Sequence, residues 1–166
     1  MAPEVRRLGR PDALTLAAGG LVAALYVALT GLFAPISFAA LQFRVSEVLT
    51  LLPVLSPVSV PGLFVGCLLS NLLFGAPWQD VVFGSLATLL AAWLTRRLRQ
   101  DLWLAALMPV LINGIVVGST LSVVYGLPWF ATMGIVALGE AGVCYMLGIP
   151  MIRLLQKRFG HELSRF

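Results

Sequence analysis

Four ionisable side chains stand in apolar surroundings, apart from the basic clusters: Arg44, Glu47, Asp80 and Glu140. Charge at such positions is costly enough that function is the first reading of it. Arg44 and Glu47 are three residues apart, the spacing of a local ion pair on one helical turn. Asp80 opens an apolar run, where a carboxylate stabilises the first amides of a helix by ~0.3–1 kcal/mol. Glu140 has no such local explanation. It lies about 11 residues into the last apolar run, roughly 16 Å along a helix at 1.5 Å per residue, with no cation in reach on its own helix. Asn71 and Asn113 are embedded in the same way, and each can bond a neighbouring helix. With Gln42, Glu47, Trp78 and Tyr125 at the outer end, Asn71, Asn113 and Glu140 make a candidate binding pocket. Its chemistry suits a small planar molecule rich in N–H donors. A carboxylate accepts two parallel N–H bonds, amides serve carbonyls or ring nitrogens, and aromatic rings stack on a flat face.

Catalytic chemistry is not indicated. The only lysine, Lys157, and the only histidine, His161, lie in the polar tail, so neither a Gly-Lys-Ser/Thr phosphate loop nor a histidine base is available in the apolar body. No G-x-S-x-G and no metal-ligand spacing occurs. Cys67 and Cys144 sit in apolar runs outside any C-x-x-C and read as small buried hydrophobes. No catalytic residue, metal or cofactor is expected.

The elements that must position these groups follow from composition. Of 166 residues, 60% are hydrophobic and 11% charged, with a mean hydropathy of +0.98; a soluble domain carries about 25% charge. At ~20 residues per membrane-spanning helix, six spans take roughly 120 residues and leave about 45 for loops and tails, too few for a separate soluble domain. The expected fold is an all-α polytopic membrane protein with a single transmembrane domain, residues 1–166. Its spans are expected at about 13–33, 45–56, 59–75, 80–95, 102–124 and 129–152, between cytoplasmic tails 1–12 and 153–166. The first run is span-length and followed by others, so it reads as a helix rather than a cleaved signal peptide.

Charge decides the number of passes. Residues 45–74 form a long apolar stretch containing Pro53, Pro57 and Pro61, and it is either one kinked pass or two short ones. With two passes, ten of the eleven basic residues fall on one face and only Arg44 on the other, which is the asymmetry of cytoplasmic loops. The net charge of +4 and pI near 9.7 therefore reflect orientation rather than nucleic-acid binding. Trp93 and Trp103 then anchor the inner interface and Trp78 and Trp129 the outer one. Irregular backbone at the prolines implies a protein-lined cavity at membrane depth.

Small residues recur every four positions at Gly20, Ala24 and Ala28, a stripe on which another helix can dock closely. Similar sets at Gly84, Thr88 and Ala92 and at Gly114, Gly118 and Ser122 read as packing within the bundle.

Three segments together resemble the QueT family: Leu41–Glu47 with Leu49–Pro53, Gly62–Cys67 through Asn71, and Asp80–Ala92. The resemblance covers about Thr15 to Arg153. QueT proteins resemble the substrate-binding S components of energy-coupling factor (ECF) transporters. The resemblance implies a six-helix subunit of a prokaryotic plasma membrane that captures a queuosine precursor, a deazaguanine base. Its implied partners are a transmembrane T component and two cytoplasmic ATPases, with Ala24 and Ala28 in the docking pattern of the first helix. The implied mechanism is toppling: the subunit binds from outside, rotates on the T component and releases inward. Glu47 and Glu140 would meet the N–H edge of the base or an aminomethyl cation, and Asn71 and Asn113 the remaining polar edge. A different class of reading is a stand-alone proton-coupled transporter with Glu140 as the protonation site. A third is a non-transporting scaffold.

Overall fold

The computed structural model describes residues 13–37 and 43–163. Among these the chain is all helical: α1 (Ala13–Leu32), a short α2 (Ala34–Ser37), a 3₁₀ helix (Val45–Val54), α3 (Ser59–Leu73), a π turn (Asp80–Gly84) running into α4 (Ser85–Arg97), α5 (Leu102–Tyr125), α6 (Trp129–Ala141), a π segment (Gly142–Gly148) and α7 (Ile149–Leu163). Gln42 and the basic residues Arg6, Arg7, Arg10 and Arg165 lie outside the described residues. Three helical stretches, Ala13–Leu32, Leu102–Tyr125 and Trp129–Phe159, are long and apolar enough to cross a membrane. The 3₁₀ helix and α3 are shorter, about 20 Å and 22 Å at ~2.0 and 1.5 Å per residue.

The departures from regular α-helix have local causes. Pro53 has no N–H to donate, and the 3₁₀ helix that holds it is capped from outside: Arg96 Nη1 donates to the Pro53 and Val54 carbonyls at 3.0 and 3.2 Å. Arg96, read above only as a marker of orientation, thus ties α4 to the end of the 3₁₀ helix. Pro109 lies inside α5 and leaves the Ala105 carbonyl without its helical donor; Thr95 Oγ1 supplies one at 3.1 Å, so α5 stays continuous. Pro150 likewise cannot donate back to Met146, and the π segment ends just before it. α5 begins cleanly because Asp101 Oδ1 accepts from the amides of Trp103 and Leu104 at 2.9 and 3.2 Å.

Packing follows the small residues. α1 lies against α3 where Gly62 and Gly66 remove the side chain. A Cβ on Gly62 would stand 2.6 Å from the Gly19 carbonyl oxygen, and one on Gly66 2.8 Å from Tyr26 Cβ. Gly84, Thr88 and Ala92, and Gly114, Gly118 and Ser122, are buried, as bundle packing requires. The first stripe differs. Gly20, Ala24 and Ala28 are all exposed. All four tryptophans are exposed as well. The exterior carries large apolar side chains throughout, including Leu32, Leu138 and Phe130 at 73%, 73% and 90% exposure. Such a surface suits a bilayer and not water.

If α1 and α3 meet through these glycines, Gly66→Val forces the helices apart. The expected result is a loss of about 1–3 kcal/mol, read as a lower melting temperature in detergent, while Gly20→Ala, with nothing within 4 Å of the new methyl, leaves it unchanged.

Candidate functional site

Many of the buried polar side chains converge around Arg44, Glu47 and Glu140. Arg44 precedes the 3₁₀ helix in extended backbone and turns inward, where it is 6% exposed. Its Nη2 donates to Asn71 Oδ1 at 3.1 Å and stands 3.6 Å from Asp80 Oδ2, while Nη1 is 3.9 Å from Glu47 Oε1. The expected Arg44–Glu47 pair therefore exists, but at a longer distance than the contacts Arg44 makes with α3 and the π turn.

Asp80 corrects the sequence reading. Its side chain does not cap a helix; it is 1% exposed and points at Arg44, with both carboxylate oxygens outside any hydrogen bond. The reason is steric and electrostatic together. The π turn carries the carboxylate inward, and Gly84 makes room for it, since a Cβ there would come within 2.5 Å of Asp80 Oδ1. A buried guanidinium outweighs a surface amide as a partner for a carboxylate. Asn71 Nδ2 bonds the Asp80 carbonyl at 3.1 Å and so joins α3 to the turn.

On the other side, Tyr26 of α1 donates its hydroxyl to Glu47 Oε1, and Thr30, one turn on, donates to Ser46 Oγ at 2.7 Å. One oxygen of Glu47 is thereby fixed and the other, Oε2, is buried without a partner. From α5 and α6, Asn113 Nδ2 donates to Glu140 Oε1 at 3.0 Å, leaving Asn113 Oδ1 buried and unbonded. Cys144 Sγ lies 3.9 Å from Glu140 Oε1 and 3.8 Å from Thr50 Oγ1, and Cys67 Sγ is 3.3 Å from Thr88 Oγ1. Both thiols are buried within the cluster, and no group of His, Cys, Asp and Glu suited to a metal ion occurs among the described residues.

These groups enclose a cavity lined by Arg44, Glu47, Thr88, Asn113, Val117, Val136 and Glu140. Its volume of about 10 Å³ is close to the minimum for a single water. Glu140, which no cation on its own helix can reach, thus shares a wall with Arg44. Of the predicted pocket residues, Glu47, Asn113 and Glu140 line the cavity, and Asn71 stands behind it as a ligand of Arg44. Trp78 and Tyr125 are not brought to it; they are 68% and 59% exposed. Tyr26, Thr30 and Ser46 were not singled out from the sequence, and Thr88 only as a packing residue, since a hydroxyl in an apolar helix carries no signal by itself. The cavity is rich in acceptors. Two carboxyl groups, those of Glu47 and Glu140, share its wall with one guanidinium, and Glu47 Oε2 and Asn113 Oδ1 have no hydrogen-bond partner. A ligand that brings N–H groups or positive charge completes it.

A family model described as "QueT transporter" matches residues 16–157. The chain is 35% identical over 170 residues to the "Queuosine precursor transporter QueT" of Lactococcus lactis subsp. cremoris (strain MG1363), covering 93% of this chain and 96% of that protein. No solved structure matches the chain.

The Tyr26 hydroxyl is the closest donor to Glu47. Tyr26→Phe removes it without changing shape, and the expected cost is about 1–3 kcal/mol, measured as a fall in melting temperature of the purified protein; an unchanged value would separate Tyr26 from the cluster.

Proposed function

The chain belongs to the QueT transporter family, and from that premise we propose that it is the substrate-capturing membrane subunit of an ECF-type importer for a queuosine precursor, a deazaguanine base. The observation that carries this reading is the buried acceptor cavity. Glu47 Oε2 and Asn113 Oδ1 are unpartnered, and Glu140 shares the space. A deazaguanine presents a planar edge of adjacent N–H donors, and a carboxylate accepts two of them in parallel. In this reading Glu47 and Glu140 take the N–H edge, Asn113 takes a remaining donor or the carbonyl, and Asn71 acts through Arg44. Tyr26 and Thr30 act as positioning residues for the 3₁₀ helix that bears Glu47.

The chain makes six passes with both termini in the cytoplasm of a prokaryotic cell, and it rotates on a T component that couples it to two ATPases. Support for a borrowed motor comes from the sequence, which lacks a Gly-Lys-Ser/Thr phosphate loop. Support for docking through α1 comes from the exposure of Gly20, Ala24 and Ala28, where a partner helix can approach closely. A cavity of about 10 Å³ is too small for a base, so capture requires a wall to move.

Two measurements test the proposal. Tracer deazaguanine binding to the purified chain is expected to weaken about tenfold or more in Glu47→Ala and Glu140→Ala, the loss of at least one hydrogen bond to a charged group; unchanged binding in both removes the site from this cavity. Ala24→Trp and Ala28→Trp are expected to abolish co-purification with the T component and spare tracer binding. Uptake by the chain alone in liposomes under a pH gradient would instead support the proton-coupled reading with Glu140 as the titrating group.

A further inference from the structure

The two carboxyl groups of the cavity wall have unequal surroundings. Glu47 Oε1 accepts the Tyr26 hydroxyl and stands 3.9 Å from Arg44 Nη1. Glu140 is 4% exposed, and among the described residues no cation comes within ion-pair distance of it. Its contacts are an amide and a thiol: Asn113 Nδ2 at 3.0 Å from α5, and Cys144 Sγ, four residues on, at 3.9 Å. The charged groups that act on it are Glu47 and Arg44, and Arg44 also stands 3.6 Å from Asp80.

Charge and hydrogen bonding lead to one assignment. The guanidinium is already within 4 Å of Glu47 and Asp80, and a buried carboxyl group left without a cation is neutral rather than ionised. A carboxylic acid also brings a donor to acceptors that have none. Glu47 Oε2 and Asn113 Oδ1, on residues that line the cavity, are without one. Glu47 and Glu140 are near enough for one carboxyl group to bond the proton of the other.

We propose that Glu140 is a carboxylic acid in the ligand-free protein, its proton bonded by Glu47, and that in the complex it donates this hydrogen bond to the carbonyl of the base. This rests on the deazaguanine reading above and deepens it through the order of groups on that base's edge. Carbonyl, ring N–H and amino group stand in a row, one acceptor beside two donors. Two carboxylates offer acceptors only, and would set one of them against the carbonyl. A carboxylate and a carboxylic acid match the row: Glu47 accepts from the N–H groups, and Glu140 donates to the carbonyl. The ligand then replaces the bond between the two side chains with bonds of its own, and the proton stays on Glu140.

Glutamine reproduces the donor and acceptor of a carboxylic acid but not the two acceptors of a carboxylate. Glu140→Gln is therefore expected to bind tracer deazaguanine within about threefold of wild type, whereas Glu47→Gln weakens binding about tenfold or more. The infrared difference between purified wild type and Glu140→Gln supplies a readout that needs no ligand, and it is expected to contain the carbonyl band of a protonated carboxyl group. A carboxylate band in its place overturns the proposal, as does a loss of binding in Glu140→Gln as large as that in Glu47→Gln. If the glutamine variant fails to fold, Glu140→Asp, which keeps the acid and moves its band, serves for the difference spectrum. A wild-type chain that binds no deazaguanine overturns the function proposed above instead, and the infrared difference still reads the proton on Glu140.

Discussion

A guanidinium 6% exposed in an apolar bundle is the constraint on which most of this structure depends. Removing a cation from water costs several kcal/mol, recovered only with acceptors in good positions. No single helix offers them here. Asn71 comes from α3, Asp80 from the π turn and Glu47 from the 3₁₀ helix, and those two irregular segments serve that convergence. The π turn carries Asp80 inward, Gly84 clears its path, and the 3₁₀ geometry starts directly after Arg44 so that Glu47 follows on the same side. Non-α backbone is expensive at membrane depth unless protein surrounds it, and here the neighbours do: Arg96 closes the end of the 3₁₀ helix and Asn71 bonds the Asp80 carbonyl.

The surplus of acceptors is the second consequence. Arg44 satisfies part of the demand of Glu47, Asp80 and Asn71, Tyr26 fixes one oxygen of Glu47, and Asn113 fixes one of Glu140. Left over are both oxygens of Asp80 and, on residues that line the cavity, Glu47 Oε2 and Asn113 Oδ1. Buried acceptors without donors are uncommon in proteins because each forfeits its bond to water. Here two of them belong to residues that line a cavity at the crossing of four helical elements, the 3₁₀ helix, α4, α5 and α6.

Much of this was legible in the sequence, and the parts that were not have definite reasons. The helix positions followed from apolar runs and from Pro, Gly and charge at their ends, and Glu47, Asn113 and Glu140, singled out as charge and amide groups in such runs, line one cavity. Asp80 was misread because its place at the start of a run admits a local partner, the helix amides, and nothing in a linear reading favours a guanidinium 36 positions earlier. The arithmetic of helix turns also excluded a cation near Glu140, correctly for its own helix, but Arg44 arrives from another one. Trp78 and Tyr125 were placed in the pocket by their position near the outer ends, whereas an aromatic ring at that depth is equally satisfied facing lipid. Tyr26 and Thr30 were passed over because their hydroxyls look like any others until their partners on the 3₁₀ helix are known.

α1 joins these themes. Residues four apart share a face and residues two apart do not, so the stripe Gly20, Ala24 and Ala28 and the pair Tyr26 and Thr30 fall on opposite sides of the same helix. One side is exposed and nearly without side chains; the other is buried and bonded to Ser46 and Glu47. A helix cannot shift on one face and stay put on the other. Any partner that draws α1 toward itself pulls on the hydroxyls that hold Glu47 in place, and with them on the acceptor aimed into the cavity. The contact between α1 and α3 opposes such a shift, through close approach at Gly62 and Gly66 and through the shared core cluster of Val22, Tyr26, Leu63 and Cys67. The cavity-lining Glu47 and the exposed face of α1 are thus linked through one helix, by the bonds that Tyr26 donates to Glu47 and Thr30 to Ser46.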